Sequence, residues 1–247
     1  MNLKKYLPVF RQKNIPPLAE LWVDVHSHLL PAIDDGARDM EESILLLQGL
    51  EALGYKKVIT TPHIMADTYC NTPAGIRVSL ATLVSTAKEA GIKLEIEAAA
   101  EYYMDDGFLA QINAEDVLLI GGEYLLFETS YMAKPLQFDA MVQAILAAGH
   151  KPLLAHPERY RYIQDLKTEY RGLKEKGIYF QVNLNSFGGH YGKEAKIKAN
   201  FLNKQGMIDF LGSDVHHKRQ VETLWKIKTK RVYQRLFENN SLLNNTL

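Results

Sequence analysis

The stretch LWVDVHSHLLPAIDDG, Leu21 to Gly36, sets a short apolar, β-prone run directly against two histidines, with a pair of aspartates close behind. Two readings compete for it: a solvated polar turn, or one corner of a metal site carried on the end of a strand. His26 and His28 alternate with Ser27, so on an extended chain both imidazoles fall on the same side. That is how one strand end presents two ligands to a single place.

The same construction recurs further along. KKVITT runs into Pro62 and His63, KLEIEAA into Glu101, EYLLF into Glu128, and KPLLA into His156. MIDFLG runs into Asp214 and His216, again alternating, around Val215. A seventh apolar run, IYFQVNL, lacks such an ending. Helix-patterned segments lie between most of these runs. In DMEESILLLQGLEALG, Asp39 and Glu42 have capping-box spacing and Gly54 marks the stop. Strands alternating with helices imply βαβ units on a parallel sheet. About seven repeats in one domain, residues 1–247, favour a closed or nearly closed barrel, an irregular relative of the eight-stranded form. The connection from Glu101 to Gly122 shows no clear pattern.

In a parallel barrel every strand C-terminus opens on one face. Residues far apart in sequence then converge. Taken singly, a strand-end histidine is more often structural, and a buried carboxylate such as Glu128 more often holds an arginine. Recurrence at six strand ends favours the site. Imidazole and carboxylate without thiolate suit Mn²⁺, Fe²⁺ or Zn²⁺. The candidates outnumber the four ligands of a structural zinc, which points to a multinuclear catalytic centre.

The 247 residues are 47% hydrophobic, with Lys+Arg and Asp+Glu both 29. Zero net charge offers no electrostatic footprint for nucleic acid. The single cysteine, Cys70, excludes an internal disulfide framework and fits a reducing compartment. The first twenty residues read as an N-terminal extension without a signal-peptide core, and no apolar stretch is long enough to span a bilayer. A cytoplasmic protein without membrane insertion is expected, with a frayed tail over 239–247. Oligomeric state leaves no trace in the sequence.

The motifs DVHSHLLPAIDDG, TTPH, AAAEYY, AHPERY and GSDVHH resemble the signatures of the PHP (polymerase and histidinol phosphatase) superfamily. They are most similar to its manganese-dependent bacterial tyrosine-protein phosphatases, the CpsB/CapC/YwqE type linked to capsule and exopolysaccharide synthesis. The match runs in order from Leu21 to His217. The resemblance implies a distorted TIM-like (β/α)7 barrel holding two or three ions, Mn²⁺ by preference. By motif position, His26, His28, Glu101 and Asp214 would hold one ion, and Asp35, His63 and His216 a second. Glu101, as a bridge, would join Glu128 and His156 around a third. Asp35 is preferred to its neighbour Asp34 by motif position only. The implied substrate is phosphotyrosine in protein, and the implied partner an autophosphorylating bacterial tyrosine kinase. NLNSFGGHYG departs from the Ser/Leu/Gly-rich segment expected there, which leaves the substrate rim open.

For such a reaction a metal-bridging water would attack phosphorus in line, and a guanidinium suits the phosphoryl charge. Arg159, three residues after His156, is the first candidate, and Arg219, three after His216, the second. Tyr102–Tyr103 and Tyr160–Tyr162 read as packing, although they adjoin motif residues and could line a phosphotyrosine pocket. His217 should point away from His216, and His190 lies in a glycine-rich loop able to overhang the site. Cys70 fails as a nucleophile, because Arg77 lies seven positions on rather than six and the intervening NTPAGI lacks the glycine-rich character expected. Rival readings are a small-molecule phosphatase (histidinol phosphate or sugar phosphate type), a non-catalytic kinase-binding regulator and a metal-dependent nuclease.

Overall fold

A computed structural model describes residues 21–114 and 116–247. The N-terminal extension, 1–20, lies outside the described residues. The strands are β1 (Val23–Asp24), β2 (Lys57–Thr60), β3 (His63–Ile64), β4 (Glu95–Ala98), β5 (Glu101–Tyr103), β6 (Tyr124–Glu128), β7 (Lys151–Ala155), β8 (Tyr179–Asn183) and β9 (Phe210–Gly212). The helices are α1 (Met40–Leu53), α2 (Pro73–Glu89), α3 (Phe108–Asn113), α4 (Phe138–Ala147), α5 (Leu166–Glu175), α6 (Leu184–Gly188), α7 (Gly192–Lys204), α8 (Lys218–Lys228) and α9 (Arg231–Asn239).

All strand pairings are parallel. They form a three-stranded sheet, β1-β2-β4, and a six-stranded sheet, β3-β5-β6-β7-β8-β9. The parallel α/β architecture expected from the alternation is present. The expected single closed sheet is not: hydrogen bonding resolves two. The break has a local cause. Pro62 lacks the N–H a ladder needs, so the second apolar run splits into β2 and β3. The third run splits beside it into β4 and β5. Single bonds still cross the break, Ala99 N–H to Thr60 O at 2.9 Å and Glu101 N–H to Pro62 O at 3.0 Å. Beyond the far edges, Asp214 N–H donates to His26 O at 2.8 Å and His28 N–H to Val215 O at 2.9 Å, around a parallel Ser27–Val215 bridge.

Both faces of the six-stranded sheet are buried, whereas β4 at the edge of the smaller sheet is partly exposed. Leu125 and Phe127 pack in the larger core under the helices, while Leu126 between them joins Val25, Ile59, Leu153 and Phe210 in a second cluster. This is the period-2 alternation of strands covered on both sides. In α1, Asp39 caps Glu42 N–H at 2.8 Å and Gly54, at φ 100°, ends the helix. Only half of the expected capping box forms. The Glu42 carboxylate turns instead to Arg38, accepting from its amide at 3.0 Å and its Nε at 2.8 Å.

The tail corrects another expectation. Rather than fraying, it carries two buried asparagines, Asn240 and Asn244. The Asn244 side chain donates to Val23 O at 3.0 Å and Leu211 O at 2.8 Å, and accepts from Leu211 N–H at 2.9 Å. β1 and β9 do not pair as strands, and this amide satisfies backbone groups of both, as a peptide unit would. Among the described residues no helix is long and apolar enough to cross a membrane.

Candidate metal centre

All nine sequence-predicted ligands meet on one face: His63 and Glu101 open β3 and β5, Glu128 closes β6, His26, His28, His156, Asp214 and His216 follow β1, β7 and β9, and Asp35 comes from the loop before α1. Four overlapping groups have ligand atoms within 4.8 Å of one another: His28, Asp35, His63 and His216; His26, His28 and Asp214; His26, Glu101 and His156; and His63, Glu101 and Glu128. The geometry joins the groups more tightly than the motif assignment does, since His28 also stands with Asp35, His63 and His216. Glu101 is the hub. Its Oε2 lies 3.2 Å from His26 Nε2, 3.4 Å from His28 Nε2 and 3.3 Å from His63 Nδ1, and its Oε1 lies 3.0 Å from His156 Nε2. Glu128 lies 3.1 Å from His63 Nδ1 and 3.7 Å from His156 Nε2.

Outer hydrogen bonds aim these atoms inward. His26 Nδ1 donates to Gln181 Oε1 at 2.7 Å, leaving Nε2 for the cluster. His28 Nδ1 pairs with Asp34 Oδ2 at 2.8 Å. His216 Nδ1 donates to Asp214 O at 3.1 Å, and its Nε2 stands 3.4 Å from Asp35 Oδ1. The two neighbouring aspartates therefore divide the work. Asp34 orients an imidazole, while Asp35 faces His63 and His216. Asp214 is split in the same way. Its Oδ2 accepts from Arg159 at 3.1 Å, Asn183 at 2.6 Å and Tyr191 at 2.8 Å, and its Oδ1 faces His26, His28 and His216 at 3.6, 3.8 and 3.4 Å.

The backbone bends to place these groups. His156 at φ 33° and Asp214 at φ 49° are two of the three non-glycine residues with positive φ among the described residues, each costing about 1–3 kcal/mol. Two glycines make room. A Cβ on Gly36 would collide with the His28 carbonyl, and one on Gly212 would meet Gln181 Nε2 and lie 2.7 Å from His26 Cβ.

Opposite charges hold each other in place. Burial opposes ionisation of Glu101, yet the His26 and His63 imidazoles outweigh it and hold the carboxyl well below its usual range. Asp214 is likewise depressed against its burial, by His216, His26 and Arg159. Burial pulls His28 down, but the Asp34 carboxylate overcomes it and raises the imidazole to about 10. The donor set fits divalent cations. It is all imidazole and carboxylate, and His63 Nδ1 is buried between the carboxylates of Glu101 and Glu128, at 3.3 and 3.1 Å, without a well-aligned hydrogen bond to either. The clusters are able to bind metal.

A cavity of about 300 Å³ opens over the cluster, and Tyr131, Arg159, His190, Tyr191 and Arg219 are among its lining. Both predicted arginines thus reach the site. Arg159 is sandwiched between the rings of Tyr131 and Tyr191, at 4.5 and 4.3 Å. The tyrosines singled out from the motifs do not line it. Tyr102 and Tyr160 are buried with their hydroxyls bonded to Leu118 N–H and Ala155 O, and Tyr162 bonds Thr129. His217 lines the cavity too, while serving as the N-cap of α8, so it does not simply turn away. Gln181, Asn183 and Tyr191 were missed, having no motif to mark them. The available signal was position, since Gln181 and Asn183 lie on the one strand without a ligand. Cys70 is exposed and bonds Ala66 O, and Arg77 is engaged with Asp116.

Comparison with known proteins agrees with this geometry. A family model described as capsular polysaccharide synthesis, CpsB/CapC, matches residues 22–240. The tyrosine-protein phosphatase YwqE of Bacillus subtilis is 29% identical over 196 residues, covering 79% of this chain and 77% of that protein. The tyrosine-protein phosphatase CpsB of Streptococcus pneumoniae is 27% identical over 202 residues, covering 79% and 83%. A chain from the crystal structures of YwqE and CpsB, described as unique metal-dependent tyrosine phosphatases, superposes with a TM-score of 0.76 at 27% identity, covering 88% of this chain and 92% of that one. Family match, chain-long structural likeness and a strand-end cluster of histidines and carboxylates coincide, and the chain belongs to the CpsB/CapC family of capsular polysaccharide synthesis.

Proposed function

We propose that this chain is a metal-dependent protein-tyrosine phosphatase. The observation that carries the reading is the convergence of five imidazoles and four carboxylates, most of them buried, on one cluster beside a stacked arginine. In this reading His26, His28, Asp35, His63, Glu101, Glu128, His156, Asp214 and His216 hold two or three divalent ions, Mn²⁺ by preference. The same reading takes the strands together as a distorted (β/α)7 barrel, which the parallel Ser27–Val215 bridge between the far edges supports. When bound, the cations supply charge for the phosphoryl oxygens and make water nucleophilic near neutral pH.

The chain's own residues do the remainder. Arg159 remains fully charged, because Asp214 and the ring faces of Tyr131 and Tyr191 more than offset its burial. Its guanidinium can grip phosphoryl oxygens as their charge grows. Arg219, on the same cavity wall, is the second cation. A departing tyrosine oxygen has a solution pKa near 10 and leaves as phenolate with modest help. The cavity, about 300 Å³, is at the lower bound of pockets that enclose a small ligand whole. It suits a phosphoryl group and part of a ring, with the remainder of a protein substrate outside. That favours a protein over a histidinol or sugar phosphate. The full donor set has no purpose in a non-catalytic kinase-binding scaffold. Relatives named for tyrosine phosphatase activity and the capsule family support a bacterial tyrosine autokinase as substrate. The lone cysteine, reduced and exposed, supports the cytoplasm as compartment.

The test is hydrolysis of a phosphotyrosine peptide by chelator-stripped protein, before and after Mn²⁺, with a phosphoserine peptide as control. Activity restored by the metal on phosphotyrosine alone is expected. Metal binding without phosphate release would overturn the reading.

A further inference from the structure

Behind Arg159 lies a second cavity, of about 530 Å³. It shares Tyr131, Arg159 and Tyr191 with the metal cleft, so the stacked tyrosine–arginine–tyrosine layer is the wall between the two. A substrate seated in the first cavity can reach the second over that wall. We propose that the second cavity is a subsite for acidic side chains flanking the phosphotyrosine of a peptide substrate, with Arg161 and Lys193 as its selecting cations. The proposal rests on the phosphotyrosine reading of the neighbouring cleft.

The charge of the lining carries the argument. Arg161 and Lys193 are exposed, and neither is in an ion pair among the described residues. Arg161 is positioned all the same. Its amide donates to Tyr131 O at 2.8 Å and its guanidinium rests on Met132 Sδ at 3.9 Å, so the cation is fixed to the wall segment itself. The two acidic residues of the lining are already engaged. Glu158 is buried, and its Oε1 accepts from Asn183 N–H at 2.9 Å and Ser186 Oγ at 2.7 Å. Glu194 is paired with Lys198 at 2.7 Å. The cavity therefore presents two cations that no carboxylate pairs with directly, Glu194 acting on Arg161 only from beyond ion-pair distance, beside an exposed Met132 that offers apolar contact. An extended peptide advances roughly 3.3–3.6 Å per residue, so the carboxylates selected are those within about three positions of the phosphotyrosine. Charges at such a rim mostly steer and select, and salt screens them.

The experiment compares peptides that differ only in flanking charge. Each carries either phosphotyrosine or a non-hydrolysable phosphonate analogue, flanked by Glu or by Gln within three positions. Fluorescence anisotropy gives Kd for the phosphonate peptides, and initial rates give kcat/KM for the phosphotyrosine peptides. The intact chain loaded with Mn²⁺ should prefer the Glu peptide by about tenfold at low salt, falling toward twofold at ~0.5 M salt. The combined Arg161→Gln, Lys193→Gln variant should bring the Glu-to-Gln ratio to about one. Equal binding of both peptides by the intact chain, or a preference that survives in the variant, overturns the subsite. A chain that binds the Glu phosphonate selectively yet hydrolyses neither phosphotyrosine peptide would retain the subsite and overturn the phosphatase reading, so the two failures are distinct.

Discussion

Replacing Arg159 with alanine separates the chemistry of the site from its assembly. The guanidinium has two tasks in the structure: one of its nitrogens bonds Asp214 Oδ2 at 3.1 Å, and its plane lies between Tyr131 and Tyr191 at the cavity wall. Asp214 does not depend on it. Asn183 at 2.6 Å and Tyr191 at 2.8 Å still hold the same oxygen, and the oxygen that faces the imidazoles is untouched. Loss of a nearby positive charge also favours cation binding, which offsets the lost hydrogen bond. Metal content should therefore stay within about threefold of the unaltered protein. The reaction should suffer much more. Removing one positioned donor from a developing anion costs about 10²–10³ in kcat, or about 2.7–4 kcal/mol.

Lysine at the same position retains the charge but loses the two-pronged geometry and the stacking, so a fall of about tenfold is expected. The assay is kcat on a phosphotyrosine peptide at saturating Mn²⁺, alongside bound metal by plasma mass spectrometry. Parallel loss of kcat and metal in Arg159→Ala would show that the arginine serves only to hold Asp214. A kcat unchanged by the substitution would remove it from the reaction altogether.

Gln181→Leu deletes the acceptor for His26 Nδ1 and for the His156 amide; Mn²⁺ affinity measured by titration calorimetry should fall about 10–100-fold, and unchanged affinity would mean His26 is oriented by other contacts. Gly212→Ala places a methyl against Gln181 Nε2 and His26 Cβ; a loss of about 1–3 kcal/mol in urea unfolding is expected, with reduced metal content. Asp24 is buried against Ser213, and burial, only partly offset by the Ser213 hydrogen bonds, raises its carboxyl from 3.8 to about 6. The folded state then holds a proton that the unfolded chain releases, so this group's contribution falls as pH rises from about 4 to 6. At 1.36 kcal/mol per pH unit the change is about 3 kcal/mol. The stability of Asp24→Asn relative to the unaltered protein should therefore increase over that window and then level off, and a difference independent of pH would refute the burial argument.

Legibility in the sequence followed how local the cause was. Strand-end ligands could be read because a strand, its alternation and its exit residue lie within a few positions, as in Asp24 to His28. The stop of α1 at Gly54 was equally local. Asp35 against Asp34 was decided by motif position, and only the fold shows that one faces His63 while the other turns to His28. Gln181 and Asn183 were invisible because their partners, His26 and Asp214, are 155 and 31 residues away. The tail was misread for the same reason. A polar, asparagine-rich end looks frayed until the gap between β1 and β9 gives Asn244 backbone groups to satisfy. The two-sheet break at Pro62 was the one nonlocal feature with a local signal.

The contacts that join β1 to β9 are made by the residues that build the site, and this couples folding to metal. Asp214 N–H bonds His26 O and His28 N–H bonds Val215 O, so the backbone linking the two sheets is also the backbone that positions three candidate ligands. Strain is stored in the same place, at Asp214 and His156. Without cations the cluster is held by imidazole–carboxylate attraction and by the outer hydrogen bonds from Gln181, Asn183 and Tyr191. A cation that binds only the folded state adds stability as its concentration exceeds its dissociation constant, and here it would act on the contacts that hold the two sheets together. Metal should therefore stabilise the whole fold rather than a loop, with chelation lowering the unfolding temperature in one cooperative transition.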